Sequence, residues 1–129
     1  MPRRLVLLLL AAVLSPALAR AADAPQKFVV FFQQWSAALD DAAQDVIAHA
    51  ADAAKAQRTA AVHVNGFADP TGSKRANELL TDLRAQMVAD QLQSDGIDPK
   101  RIRQRGHGSV QFALTSQESR RVEISIGGR

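Results

Sequence analysis

Cysteine is absent from the sequence. That excludes disulfide staples, a cysteine nucleophile and the residue to which bacterial lipoproteins attach their lipid. The core alone must then stabilise the fold, which a chain of this size can do because it buries well over half of its unfolded surface. Long apolar runs are scarce as well. The one such run, Leu5–Leu14, is half the roughly 20 residues that a spanning helix needs. No second run follows, and the alternating segments of a transmembrane barrel are missing. Metal-ligand spacing is lacking too: His49, His63 and His107 fall on a helix, a strand and a loop. No local motif joins a serine to a histidine and an acid. The chain is therefore expected to be neither an enzyme nor a holder of a metal or cofactor.

What is present begins with an export signal. Arg3 and Arg4 precede Leu5–Leu14, Ser15-Pro16 breaks the segment, and small residues follow at Ala17, Ala19 and Ala21. This is the layout of a secretory signal peptide over residues 1–21, followed by a flexible leader over 22–26 and one domain over 27–129. The whole sequence has 16 Lys and Arg against 13 Asp and Glu, a net charge of +3. Removing Arg3, Arg4 and Arg20 with the signal leaves the two signs equal, so nothing points to nucleic acid. No integral membrane segment is expected after cleavage.

Six elements can be read along the domain. KFVVFF (27–32) is apolar on both faces, the mark of a strand covered on both sides. Leu39, Ala43, Val46, Ala50 and Ala54 recur at helical spacing, giving a helix to about residue 57 that Ser36 or Asp40 could cap. In AAVHVNG (60–66), Val62 and Val64 alternate with His63 and Asn65, as in a half-buried strand. A second helix runs from about Ser73 to Ser94, with Ala76, Leu79, Leu80, Leu83 and Met87 in one apolar arc of about 100°. RIRQRG (101–106) puts Arg101, Arg103 and Arg105 on one strand face. RRVEISI (120–126) points Val122, Ile124 and Ile126 inward. The order β-α-β-α-β-β predicts an α/β (α+β) two-layer sandwich with both helices on one sheet face.

Asp69-Pro70-Thr71-Gly72 first suits a type I turn, with Thr71 or Ser73 capping the helix that follows. Helical geometry then places Thr81 and Arg84 within about 40° of Asn77, on a stripe beside the apolar arc and facing the loop of Asp69. A carboxylate, an amide, a hydroxyl and a guanidinium near a helix N-terminus suit a zwitterion: the Arg fork takes a carboxylate and Asp an ammonium. The residues alone leave two readings open, since Asp69 can be purely a turn residue and Arg84 a solvated helix residue. Trp35 reads as a packing residue rather than a stacking platform for sugar.

The segment G-F-A-D-x-x-G-S-x-x-x-N-x-x-L-T-x-x-R-A-x-x-V, Gly66 to Val88, resembles the signature of the OmpA-like C-terminal domain. That family includes MotB and peptidoglycan-associated lipoprotein domains. Three further blocks in the same order extend the likeness over the domain: FFQQWSAAL (31–39), GI-x-x-x-RI-x-x-x-GHG (96–108) and SRRVEI (119–124). The resemblance implies helices packed on a mixed sheet. It also implies a non-catalytic, periplasmic peptidoglycan-binding module of the Gram-negative envelope. Asp69 and Arg84 would hold the free end of diaminopimelate in the stem peptide, with Asn77, Phe67, Ala68 and Thr81 lining the pocket and Gly66, Gly72, Arg120 and Arg121 in support. Phe67 stands where the family usually has His, Ala68 where it has Thr, Ser109 where Glu is common and Ser119 where Asn is. The Arg face of the third strand is expected to be a solvated surface, the alternative being contact with an acidic partner or the anionic cell wall. A rival expectation is a scaffold protein that keeps the fold and contacts another envelope protein instead.

Overall fold

The structure, a computed structural model, describes residues 25–109 and 116–127. The expected signal segment and most of the leader lie outside them. Strand β1 (Gln26–Phe31) leads to helix α1 (Asp41–Ala56), β2 (Val62–Ala68) and helix α2 (Lys74–Ser94). A 3-10 turn (Pro99–Arg101), β3 (Ile102–Ser109), a short helical turn α3 (Ser116–Ser119) and β4 (Arg121–Ile126) follow. The β-α-β-α-β-β order read from the sequence is the order found, with two short helical turns added. Both long helices begin at a capping side chain: Asp40 Oδ1 accepts from Ala43 N at 2.7 Å and Ser73 Oγ from Ala76 N at 3.0 Å. Each bond satisfies a backbone donor that the first turn would otherwise leave open.

The four strands form one mixed sheet in the order β1-β4-β2-β3. Strand β4 is antiparallel to both β1 and β2, while β2 and β3 are parallel. A parallel pair needs a crossover, and α2 supplies it. Alternation along β2 and β4 sends Val62, Val64, Val122, Ile124 and Ile126 to one face, where they meet Ile47 of α1 and Val88 and Leu92 of α2. Burying a side chain of that size contributes about 1.5–3 kcal/mol. Ala43, Ala50, Ala51 and Ala54 are buried too, and their small size lets α1 approach the sheet closely.

Three expectations change. Strand β1 is not covered on both faces: it is an edge strand with Val30 buried and Phe31 46% exposed. Both long helices lie on one side, so alternate residues of β1 face outward despite being apolar. Arg101 leaves the face of Arg103 and Arg105, because it belongs to the 3-10 turn. Its guanidinium donates to the carbonyls of Ala54, Gln57 and Ala60 at 2.8–3.0 Å, satisfying acceptors past the end of α1. The largest change concerns α2. Leu79, Leu83 and Met87 are 54%, 51% and 36% exposed, whereas Asn77, Thr81 and Arg84 are buried with Ala85, Val88, Ala89 and Leu92. The helix turns its polar stripe inward, where other segments offer Asn77, Thr81 and Arg84 at least one partner each.

Candidate functional site

Gly66 sets how close α2 comes to the end of β2. A Cβ there would lie 2.5 Å from the carbonyl oxygen of Thr81, so only glycine permits the contact. This lays the Asn77–Thr81–Arg84 side of α2 against the loop that begins at Asp69.

Asp69 is 4% exposed and fully engaged on one side. Its Oδ2 accepts from Arg120 Nη1 at 3.0 Å, and its Oδ1 accepts from the backbone N and the hydroxyl of Thr71. Burial pushes the carboxyl up, but the hydrogen bonds from Thr71 and Arg120 outweigh it and hold the carboxyl below its ordinary value. The hydroxyl missing at Ala68 is thus supplied by Thr71. A carboxylate offers about four lone-pair sites, and three are used here.

Arg84 is fully buried. Its Nε donates to the carbonyl of Ser36 at 2.7 Å and its Nη2 to that of Gln33 at 3.0 Å, while the guanidinium sits 5.1 Å from the Phe32 ring centre. Nη1 is buried and has no partner. Burial, then the charge of Arg120, lower its pKa to about 10, with Asp69 opposing, so it stays a cation at neutral pH. An unpaired donor on a buried charge is costly, of order 1–3 kcal/mol or more, unless something completes it.

Asn77 ties the loops together: its Nδ2 donates to the carbonyl of Thr71 and to Ser109 Oγ, both at 2.7 Å. Ser109, which replaces the family's common Glu, therefore accepts from Asn77. Gln34, Trp35, Ala68, Asp69, Thr71, Asn77, Leu80, Arg84 and Arg120 line one narrow cleft of about 10 Å3, room for about one water. Trp35 has φ of 56° and is 53% exposed, with its ring edge against Gly72, whose φ is +80°. A side chain at position 72 would strike that ring.

Of the residues singled out from the sequence, the structure brings Asp69, Arg84, Asn77, Ala68 and Arg120 to the cleft, with Gly72 seating Trp35. Phe67 and Arg121 are instead on the outer sheet face, where the Arg121 guanidinium lies 4.5 Å from the Phe67 ring centre. Alternation explains this: Phe67 and Ala68 point to opposite sides, as do Arg120 and Arg121. Thr81 is buried behind the cleft, donating to the Glu78 carbonyl and accepting from Gly108 N at 2.9 Å, which ties α2 to β3. Sequence reasoning missed Gln34, Thr71 and Leu80, and it gave Trp35 a packing role only. The double Gln-Trp step before the helix carries no periodic signal.

The structure is thus a two-layer α/β domain with a small charged cleft. The chain belongs to the OmpA family, whose model matches residues 31–124. Over 103 residues it is 35% identical to the probable lipoprotein YiaD of Escherichia coli, covering 75% of this chain and 47% of YiaD. It is 34% identical to the peptidoglycan-binding protein ArfA of Mycobacterium tuberculosis, covering 75% of this chain and 32% of ArfA. The chain thus spans about half of the one relative and a third of the other. The OmpA-like domain of FopA1 from Francisella tularensis superposes with a TM-score of 0.68 at 25% identity, over 78% of this chain and 71% of that one. The peptidoglycan-associated lipoprotein of Burkholderia pseudomallei shares the fold, with a TM-score of 0.67 at 19% identity, over 77% and 88%.

Proposed function

We propose that this chain is a non-catalytic peptidoglycan-binding module of the periplasm, and that its cleft takes the zwitterionic end of diaminopimelate. The observation that carries this reading is the buried, unpartnered Nη1 of Arg84 on the cleft wall. A ligand carboxylate completes it. The lone-pair site left on Asp69 then takes the ligand's ammonium, and Trp35 closes over the open side. The cleft holds two cations and one carboxylate, so it favours a ligand end that brings an anion. Relatives named as a peptidoglycan-binding protein and a peptidoglycan-associated lipoprotein support the substrate class.

Retention on purified sacculi tests the reading. Diaminopimelate-type wall should bind, and lysine-type wall, which lacks the carboxylate, should not, because it leaves the Arg84 charge unpaired. Equal retention on both would overturn it. Contact with another envelope protein is the second reading, favoured by the exposed Leu79–Leu83–Met87 stripe. It takes over if Asp69→Asn binds diaminopimelate-type sacculi like the wild type.

A further inference from the structure

The outer face of the sheet carries a pattern that the cleft does not use. Pairing registers arrange it as three rows across the strands: Phe31, Arg121, Phe67 and His107; Val29, Glu123, Asn65 and Arg105; Lys27, Ser125, His63 and Arg103. No described element packs on this face. Lys27, Arg103, Arg105 and Arg121 oppose one carboxylate, Glu123, which both Lys27 and Arg121 already bind. Among the described residues, Arg103 and Arg105 have no carboxylate within ion-pair distance. The helical layer has the opposite sign: Asp41, Asp45, Asp52, Glu78, Asp82 and Asp90 outnumber Lys55, Lys74 and Arg75 on its surface. A domain of nearly balanced charge is therefore polarised, basic on the sheet and acidic on the helices.

We infer that the open sheet face is a second wall-contact surface, which lays the domain on the anionic polymer while the cleft holds one stem peptide. This rests on the reading of the cleft given above. The partner's chemistry is a flat array of carboxylates, as neighbouring stem peptides provide. Continuity with the cleft selects that occupant. Phe67, Ala68 and Asp69 are consecutive, as are Arg120 and Arg121, so the first segment puts two side chains in the cleft and one on the sheet face, and the second puts one on each. A polymer whose peptide tip enters the cleft must pass this edge. The row of Phe67 between His107, stacked at 4.8 Å, and Arg121 makes the edge a stiff platform. Arg103 and Arg105, on one strand and on the same side, stand about 7 Å apart and reach further along the face. Polarised charge turns this side toward an anionic surface before contact.

The double variant Arg103→Gln, Arg105→Gln tests the inference, with Lys55→Gln, Arg58→Gln as the control for net charge. Affinities are measured for intact diaminopimelate-type sacculi at low and high salt, for a soluble stem peptide ending in diaminopimelate, and for vesicles of phosphatidylglycerol. The sheet variant should bind soluble peptide like the wild type and lose about ten-fold on intact sacculi at low salt, the gap closing as salt rises. The control should bind both like the wild type. Equal sacculus affinity of variant and wild type at low salt overturns the inference and leaves the cleft reading intact. Equal loss on soluble peptide overturns it too, since the arginines then act through the cleft. A loss confined to vesicles assigns the face to lipid instead. Failure of the wild type to bind either peptide or sacculi overturns the cleft reading itself, and this inference with it.

Discussion

Asp69 Oδ2 lies 3.0 Å from Arg120 Nη1, while Arg84, on the same cleft, bonds to the carbonyls of Gln33 and Ser36. The carboxylate is thus neutralised by one arginine and the other is held by neutral oxygens. That division keeps a cation with a free donor in the cleft. Had Asp69 bound Arg84 directly, the site would be a closed ion pair with little to offer a ligand.

Arg84 therefore carries both binding and folding. Hydrogen bonds to charged groups contribute about 1.5–3 kcal/mol each, and Arg84 makes two that hold the segment before α1. Arg84→Ala should lower unfolding free energy by roughly 3–5 kcal/mol, a large loss for a small domain. This rules out the solvated helix arginine, one of the two readings the residues alone left open. Arg84→Lys should fold better than the alanine variant yet still fail to retain sacculi, because an ammonium lacks the fork. Denaturant melts and sacculus pull-downs separate the two effects.

Acid sensitivity follows from the depressed carboxyls of Asp69 and Glu123. For Glu123, burial acts upward but hydrogen bonds from Lys27 and Arg121 prevail. A carboxyl held lower in the folded state stabilises the fold fully above its unfolded value and loses that contribution as pH falls through the folded one. The unfolded values are near 3.8 and 4.5, so stability should fall as pH drops below about 4. Asp69→Asn should shallow that slope in denaturation measured across pH 2–6. An unchanged slope would remove Asp69 from the account.

Gly66→Ala and Gly72→Ala should fail differently. At position 66 the new Cβ meets the backbone of α2 at Thr81, which cannot move without shifting the helix. At position 72 it meets the ring of Trp35, an exposed side chain that can swing away, at the added cost of a left-handed backbone. Thermal melts should show the larger loss for Gly66→Ala. Gly72→Ala should mainly weaken ligand binding, with displaced Trp35 visible as a change in fluorescence.

Leu79→Gln and Leu83→Gln should change stability by no more than about 0.5 kcal/mol, since both side chains are more than half exposed. Val88→Ala and Leu92→Ala, on the buried side of the same helix, should cost clearly more, with about 2–5 kcal/mol typical for the leucine. If the order is reversed in denaturant titrations, α2 is rotated the other way.

The sequence by itself determined the order of elements, two cap candidates for each long helix and the inward face of β2 and β4. Those features are local: a cap needs a side chain three residues from an amide, and alternation needs only neighbours along one strand. Motif spacing also placed Asp69, Asn77 and Arg84 in one neighbourhood. The tertiary structure decided the rotation of α2, the partners of the two key charges and the sides taken by Phe67 and Arg121. Leu79, Leu83 and Met87 suggested a buried arc, yet the stripe beside it is the one buried, because other segments satisfy it. Arg84 finds its carbonyls 48 and 51 residues away, and Asp69 finds Arg120 at 51. Periodicity records how apolar a helix face is. It holds no record of which distant loop will bring an oxygen to a buried arginine, and that supply is what makes burying the charge possible.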